Sequence, residues 1–295
     1  MDWLEVSVRV NQEAAEAVAE VLSRYAPQGV AFDFPEGAEA EVTVKAYLAV
    51  DEGIEARRRN VEEGLWHLRQ IWSVIPEPVF RQIPDQDWTA TWKEQIPVLR
   101  LGKRVVIKPS WRVYTPSEGD VLLELDPGIA FGTGLHPTTQ LCVAAIEELV
   151  QPGTSVLDMG TGTGILAMAA ARLGATTVLA VDNDENAVIA ARRNVEANGL
   201  VSRIELQYGS LADVEASYDL IVANILAPII IAMAEAGLVT RLCEGGVLIA
   251  SGILDEQADS VIEALERSGL QVMEVRHSEE WVAILAEHPS DDDAF

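Results

Sequence analysis

The 295-residue sequence predicts an α/β chain in two parts: a Rossmann-like domain built on a seven-stranded mixed sheet, preceded by a small α+β domain of ferredoxin-like order. Three observations predict it. From Gly102 onward, short apolar strands alternate regularly with amphipathic helices. A glycine-rich turn, Gly160-Thr161-Gly162-Thr163-Gly164, joins one such strand to a helix, and Asp182 ends the next strand about twenty residues on. The first ninety or so residues carry a separate strand and helix pattern with no cofactor motif.

In that first part, Trp3 to Val10 alternates as a strand, and Ala14, Ala17, Val18, Val21, Leu22 and Tyr25 recur at helical spacing. Gly29 to Phe34 and Glu41 to Val50 read as two strands around the turn Pro35-Glu36-Gly37. Val61, Leu65, Leu68 and Trp72 mark one face of a second helix, and Pro78 to Ile83 supplies a last strand. The order βαββαβ is ferredoxin-like. Residues 1–88 are therefore assigned to a recognition domain, with plain scaffolding the alternative. Residues 89–101 are assigned to a linker, residues 102–289 to the Rossmann-like domain, and residues 290–295 to an acidic, solvated tail. In the connector, Trp88 and Trp92 are four apart, which puts both rings on one face of a helical stretch.

Within the second part, Val105 to Lys108 and Val121 to Leu125 are short strands and Thr138 to Val150 a helix. Strand Ser155 to Met159, helix Ile165 to Leu173, strand Thr177 to Asp182 and helix Glu185 to Ala197 follow, the last closed by Asn198-Gly199. Then come strands Ile204 to Tyr208 and Tyr218 to Asn224, helix Pro228 to Leu242, strand Gly246 to Ser251 and helix Glu256 to Ser268. Strands Leu270 to His277 and Trp281 to Glu287 are joined so tightly that they must pair antiparallel, which predicts one edge strand running against an otherwise parallel sheet.

Composition narrows the function classes. The formal net charge is −26, from 47 acidic and 21 basic residues, which argues against direct readout of nucleic acid and favours a basic partner. Cys142 and Cys243 lie far apart and no His or Cys cluster accompanies them, so neither a disulfide framework nor a metal site is signalled. The N-terminus lacks a basic segment followed by an apolar run, and the apolar stretch Leu220 to Ala234 contains Asn224 and Pro228 and is too short to span a bilayer. A cytoplasmic protein without a membrane partner is expected.

The glycine spacing selects the ligand. A dinucleotide fingerprint needs a third glycine where this chain has Ile165, and Asp158 puts a negative charge at the crevice that repels a pyrophosphate. S-adenosylmethionine, with a ribose, an ammonium, a sulfonium and no phosphate, fits this pattern. Asp182 is placed to accept both ribose hydroxyls. In an open α/β sheet the ligand sits beyond the carboxyl ends of the strands, so Asp158, Gly160, Gly162, Asp182 and Asn224 share one end. Asn224 is suited to hold an amine by its amide oxygen or, alternatively, to cap the helix that starts near Ala227. The segment Asp126 to Thr139, with three glycines and two prolines, reads as a shaped loop opening a helix. Phe131 can pack on the cofactor there and Thr138 or Thr139 can bond its amino-acid end, while His136 is assigned a structural role ahead of that of a general base.

Together, Asp126 to Thr139, Val156 to Gly164, Val181 to Asp184, Ala223 to Ala227, Ser251 to Leu254 and Glu280 to Val282 resemble the bacterial PrmA family, across nearly the whole chain. The glycine motif alone indicates a class I methyltransferase; the Phe131 to Thr139 loop with the Asn224 motif is more specific. The resemblance implies S-adenosylmethionine-dependent methylation of lysine side chains and the α-amine of the eleventh protein of the large ribosomal subunit. It also implies cofactor contacts at Thr139, Gly160, Asp182 and Asn224, a substrate-recognition role for the N-terminal domain and an interdomain role for the connector. Asn224-Ile225-Leu226 departs from the Asn-Pro-Pro-Tyr of many amino-methyltransferases and lacks its aromatic, which weighs against a nucleobase substrate.

Overall fold

The computed structural model describes residues 3–26, 30–33, 41–51, 53–71, 75–83, 97–125, 134 and 136–290. The chain divides into two compact units, one within residues 1–96 and the other beginning at Pro97. Trp72, Trp88, Trp92, Phe131 and the tail beyond Ser290 lie outside the described residues.

In the first unit, strands β1 (Trp3–Asn11), β2 (Val30–Asp33), β3 (Glu41–Ala49) and β4 (Val79–Ile83) form one sheet in the order β2-β3-β1-β4, with every pair antiparallel. Helices α1 (Gln12–Ser23) and α2 (Ile54–Ile71) complete the ferredoxin-like order. Strand alternation turns Val6, Val8 and Val10 of β1 and Val42, Val44 and Leu48 of β3 into a core shared with Val18 and Leu22 of α1 and Val61 and Leu65 of α2. Helix α1 begins where the Asn11 side chain accepts the Ala14 N–H at 3.0 Å.

The second unit opens with a small sheet of β5 (Leu99–Leu101), β6 (Val105–Lys108) and β7 (Val121–Glu124). Leu99–Leu101, which the sequence assigns to the linker, is a strand paired antiparallel with β6. Three residues are too few to show an alternation, yet Leu101 is buried in the same core as Ile107 and Leu123. Helix α3 (Pro137–Leu149) is tied to this sheet by one carboxylate: Glu147 accepts the backbone N–H groups of Lys103 at 2.6 Å, Arg104 at 2.7 Å and Val105 at 2.8 Å. Glu147→Ala leaves those donors to water and is expected to lower the unfolding free energy by about 2 kcal/mol, read as a lower urea midpoint at unchanged slope.

The main sheet has the order β10-β9-β8-β11-β12-β14-β13. Its strands are β8 (Ser155–Met159), β9 (Thr177–Asp182), β10 (Ile204–Tyr208), β11 (Tyr218–Asn224), β12 (Leu242–Leu254), β13 (Gln271–Ser278) and β14 (Trp281–Glu287). The intervening helices are α4 (Ile165–Leu173), α5 (Glu185–Ala197), α6 (Ala227–Glu235) and α7 (Ala258–Arg267). Neighbouring side chains on β8 enter opposite cores, Val156 with Met168 and Val178, Leu157 with Val181 and Ile221, so both faces of the sheet are covered.

Two sequence expectations change here. The reversed strand is not at the edge: β14 lies inside, antiparallel to both β12 and β13. The hairpin folds β14 back against β12 first, so β13 becomes the edge and runs parallel with the rest. The helix expected over Pro228 to Leu242 stops at Glu235 and gives way to a 3-10 turn, Leu238–Arg241, before a β12 that begins at Leu242 rather than Gly246. Apolar spacing continues through Val239, whereas the hydrogen-bond ladder is interrupted at Gly237.

Candidate functional site at the carboxyl ends of the strands

The switch point of the sheet brings three strand ends together. Met159 of β8 is the register partner of Val181 in β9 and of Ala223 in β11. Beyond Met159 the chain turns across β9: Gly160 and Thr161 donate their N–H groups to the Val181 carbonyl at 2.8 and 3.1 Å. Gly160 takes the left-handed φ of +72°, where a Cβ would run into the Cγ2 methyl of Ile225.

Asp182 ends β9 with its carboxylate held from both sides. Oδ2 accepts the Gly162 N–H and Oδ1 the Asp184 N–H, each at 2.9 Å. Each oxygen retains a lone pair, the equipment for a vicinal diol. Asp158 lies under the turn, 1% exposed, rather than open in the crevice. Its Oδ2 accepts the Thr161 hydroxyl at 2.6 Å and the Ala167 N–H at 3.1 Å, and its Oδ1 has no partner among the described residues.

Burial pushes the Asp158 carboxyl up from its ordinary 3.8 to about 6, against the lowering effect of the Thr161 and Ala167 bonds and with a smaller push from Asp182. A folded-state value above the unfolded one means that this group's contribution to stability is full below about pH 4 and is lost as pH rises through about 6. Asp158→Asn, permanently neutral, is therefore expected to be the more stable protein at pH 7.5 by up to about 3 kcal/mol without methyl donor. That advantage should close as pH falls from 7 to 4, read by urea unfolding at each pH.

Helix α3 brings Thr139 to the same end. His136 caps it: its Nδ1 accepts the Thr138 N–H at 3.3 Å and lies 2.6 Å from the Thr138 hydroxyl, and its carbonyl accepts the Thr139 N–H at 3.1 Å. The imidazole meets Trp281 edge-on with centroids 4.7 Å apart, and Trp281 pairs with Leu254 at the end of β12. His136 thus caps the helix through its side chain. Thr139 is fully buried, and its hydroxyl has no partner among the described residues.

Asn224 ends β11 as the register partner of Ser251. Its Oδ1 is buried without a partner among the described residues. The capping alternative fails, because the N-cap of α6 is Leu226 and no side chain bonds the helix start. Ile225 and Gly252 lie in motifs that carry the sequence resemblance, but their packing against each other beside Asn224 was not read from the sequence. The loop residues 126–133, and with them Phe131, lie outside the described residues.

Among the described residues no group of three or more His, Cys, Asp or Glu side chains is placed to hold a metal, and no helix is long and apolar enough to cross a membrane. The Cys142 thiol is buried and pushed up to about 12, well outside the range of a reactive thiolate.

Residues 2–289 match the profile of the family described as ribosomal protein L11 methyltransferase (PrmA). The chain belongs to the PrmA family. A ribosomal protein L11 methyltransferase of Chloroflexus aurantiacus is 43% identical, with 97% of this chain and 98% of that protein aligned. One of Pelotomaculum thermopropionicum is 40% identical over 97% and 99%. A crystal structure of a ribosomal protein L11 methylase from Lactobacillus delbrueckii subsp. bulgaricus superposes with a TM-score of 0.62 at 38% identity, covering 65% of this chain and 99% of that one.

The PrmA chain is an S-adenosylmethionine-dependent methyltransferase, and the residues present fit that cofactor. Asp182 offers two anchored oxygens to a ribose diol. Thr139 Oγ1, Asp158 Oδ1 and Asn224 Oδ1 are buried oxygens with no partner among the described residues, a set of acceptors that suits a ligand carrying N–H donors.

Proposed function

We propose that this chain methylates ribosomal protein L11 on amino groups, namely lysine side chains and the N-terminal α-amine. The observation that carries the reading is Asn224: a buried amide oxygen without a partner among the described residues, at the end of β11 beside the turn that suits the methyl donor. Thr139, Asp158, Gly160, Gly162 and Asp182 hold the donor in this reading, with Phe131 packing on it.

Bound S-adenosylmethionine supplies a methyl group made electrophilic by its sulfonium. Asn224 Oδ1 accepts an N–H of the incoming amine and turns the nitrogen lone pair towards that methyl. With the donor held by Thr139, Gly160 and Asp182, the amine would take its methyl group, the sulfonium would leave as a neutral thioether, and the proton on nitrogen would pass to solvent. A free lysine, with a pKa of about 10.4, is mostly protonated at neutral pH. Desolvation and the neighbouring positive charge both favour its neutral form, so positioning suffices without a dedicated base.

The N-terminal domain, residues 1–88, serves recognition in this reading, while residues 102–289 carry the chemistry. The net charge of −26 favours a basic substrate, and a ribosomal protein as substrate supports a cytoplasmic reaction. Peptide mapping of L11 after incubation with enzyme and donor tests the reading. Methyl groups are expected on lysine side chains and the α-amine; methylation confined to other residue types would overturn it.

A further inference from the structure

Among the described residues, no hydrogen bond fixes the amide oxygen of Asn224, so the backbone around it and its packing carry more of its placement. That backbone is set by the next residue. Ile225 donates its N–H to the Ser251 carbonyl at 3.0 Å, extending the β11–β12 ladder one residue past the Asn224 pair. Its backbone then rests directly on Gly252. A Cβ at that glycine would lie 2.5 Å from the Ile225 carbonyl oxygen, 2.9 Å from its carbonyl carbon and 3.0 Å from its nitrogen. Gly252 has the left-handed φ of +81°, in the irregularity where β12 shifts register against β14 between Ser251 and Ile253. On its other side, Ile225 presents its Cγ2 methyl to Gly160, filling the space a Cβ there would need. Gly160 is itself pinned to β9 through the Val181 carbonyl.

We propose that Ile225 is a positioning residue, wedged between Gly160 of the cofactor turn and Gly252 of the β12 bulge, that sets the place of Asn224 relative to the bound methyl donor. Any shift of the cofactor turn reaches Asn224 through the Cγ2 methyl. The branch at Cβ is the operative feature: valine keeps that methyl, whereas leucine has the carbon count of isoleucine but no second group on Cβ. Gly252 serves the wedge from below, since only a residue without Cβ admits the Ile225 backbone so closely. Both glycines answer to Ile225, Gly160 to its side chain and Gly252 to its backbone.

This inference rests on the reading of Asn224 as the amine-holding residue, and the variants Ile225→Val, Ile225→Leu and Ile225→Ala test it. With L11 as acceptor, Val is expected to keep kcat within about twofold of the parent, while Leu and Ala lose about tenfold or more. The dissociation constant for S-adenosylmethionine should stay within about threefold throughout, a split that general loosening of the fold would not give. Crystal structures of the Val and Leu variants form an arm that needs no acceptor: Asn224 stays in place in Val and moves by about 0.5 Å or more in Leu. An unmoved Asn224 in the Leu variant, or equal kcat losses in Val and Leu, would overturn the wedge. Failure of the parent enzyme to methylate L11 would instead defeat the functional reading, with the structural arm still deciding the wedge.

Discussion

Replacing Asp182 with alanine is expected to raise the dissociation constant for S-adenosylmethionine by about 100-fold, the largest binding effect at this site. Two losses combine. The acceptor of the ribose hydroxyls disappears, and the N–H groups of Gly162 and Asp184, now held by its carboxylate at 2.9 Å, are released, so the glycine turn loses its anchor. Hydrogen bonds to a charged group are each worth about 1.5–3 kcal/mol, and 100-fold corresponds to about 2.7 kcal/mol. Asp182→Asn keeps one acceptor oxygen and should fall between the alanine variant and the parent. Calorimetric titration with the donor measures all three. A dissociation constant in the alanine variant within threefold of the parent's would show that the turn needs no carboxylate.

The second large effect is on rate. Asn224→Ala is expected to lower kcat for L11 methylation by about 100-fold or more while leaving donor affinity within about threefold. The contrast with Asp182 follows from the geometry. Asp182 is bonded into the cofactor turn, whereas Asn224 offers an oxygen that nothing among the described residues engages. Removing it costs little in the resting protein and much when an amine must be aimed. Steady-state kinetics with both substrates varied separates the two outcomes, and an unchanged kcat would remove Asn224 from the chemistry.

Much of this site can be read from the sequence because its parts are local. Asp158, the glycine turn and helix α4 form one continuous stretch, and Asp182 follows at the distance a strand–turn–helix–strand unit requires. The seven core strands show in the alternation of apolar runs. What the sequence does not display is contact between distant segments. Ile225 touches Gly160 and Gly252, and neither contact leaves a mark in local periodicity. The interior position of β14 is hidden for the same reason: a short hairpin fixes the direction of a strand but not its neighbour. Strand β5 is too short to alternate and is defined by its pairing with β6. The change of role for Asp158, from an open charge to a buried one, also belongs to packing, since only the closure of α4 against the turn shows that its carboxylate faces the Thr161 hydroxyl and the Ala167 N–H.

The central claim is that these strand ends hold S-adenosylmethionine and deliver its methyl group to amines of a ribosomal protein. Intact-mass spectrometry of purified L11, mixed with a small molar fraction of this enzyme and the donor, tests it most directly. The account predicts that L11 gains mass in whole methyl increments over time, only when the donor is present, and that the gain is largely lost with the Asn224→Ala enzyme. An L11 mass that stays unchanged with the parent enzyme and saturating donor would contradict it.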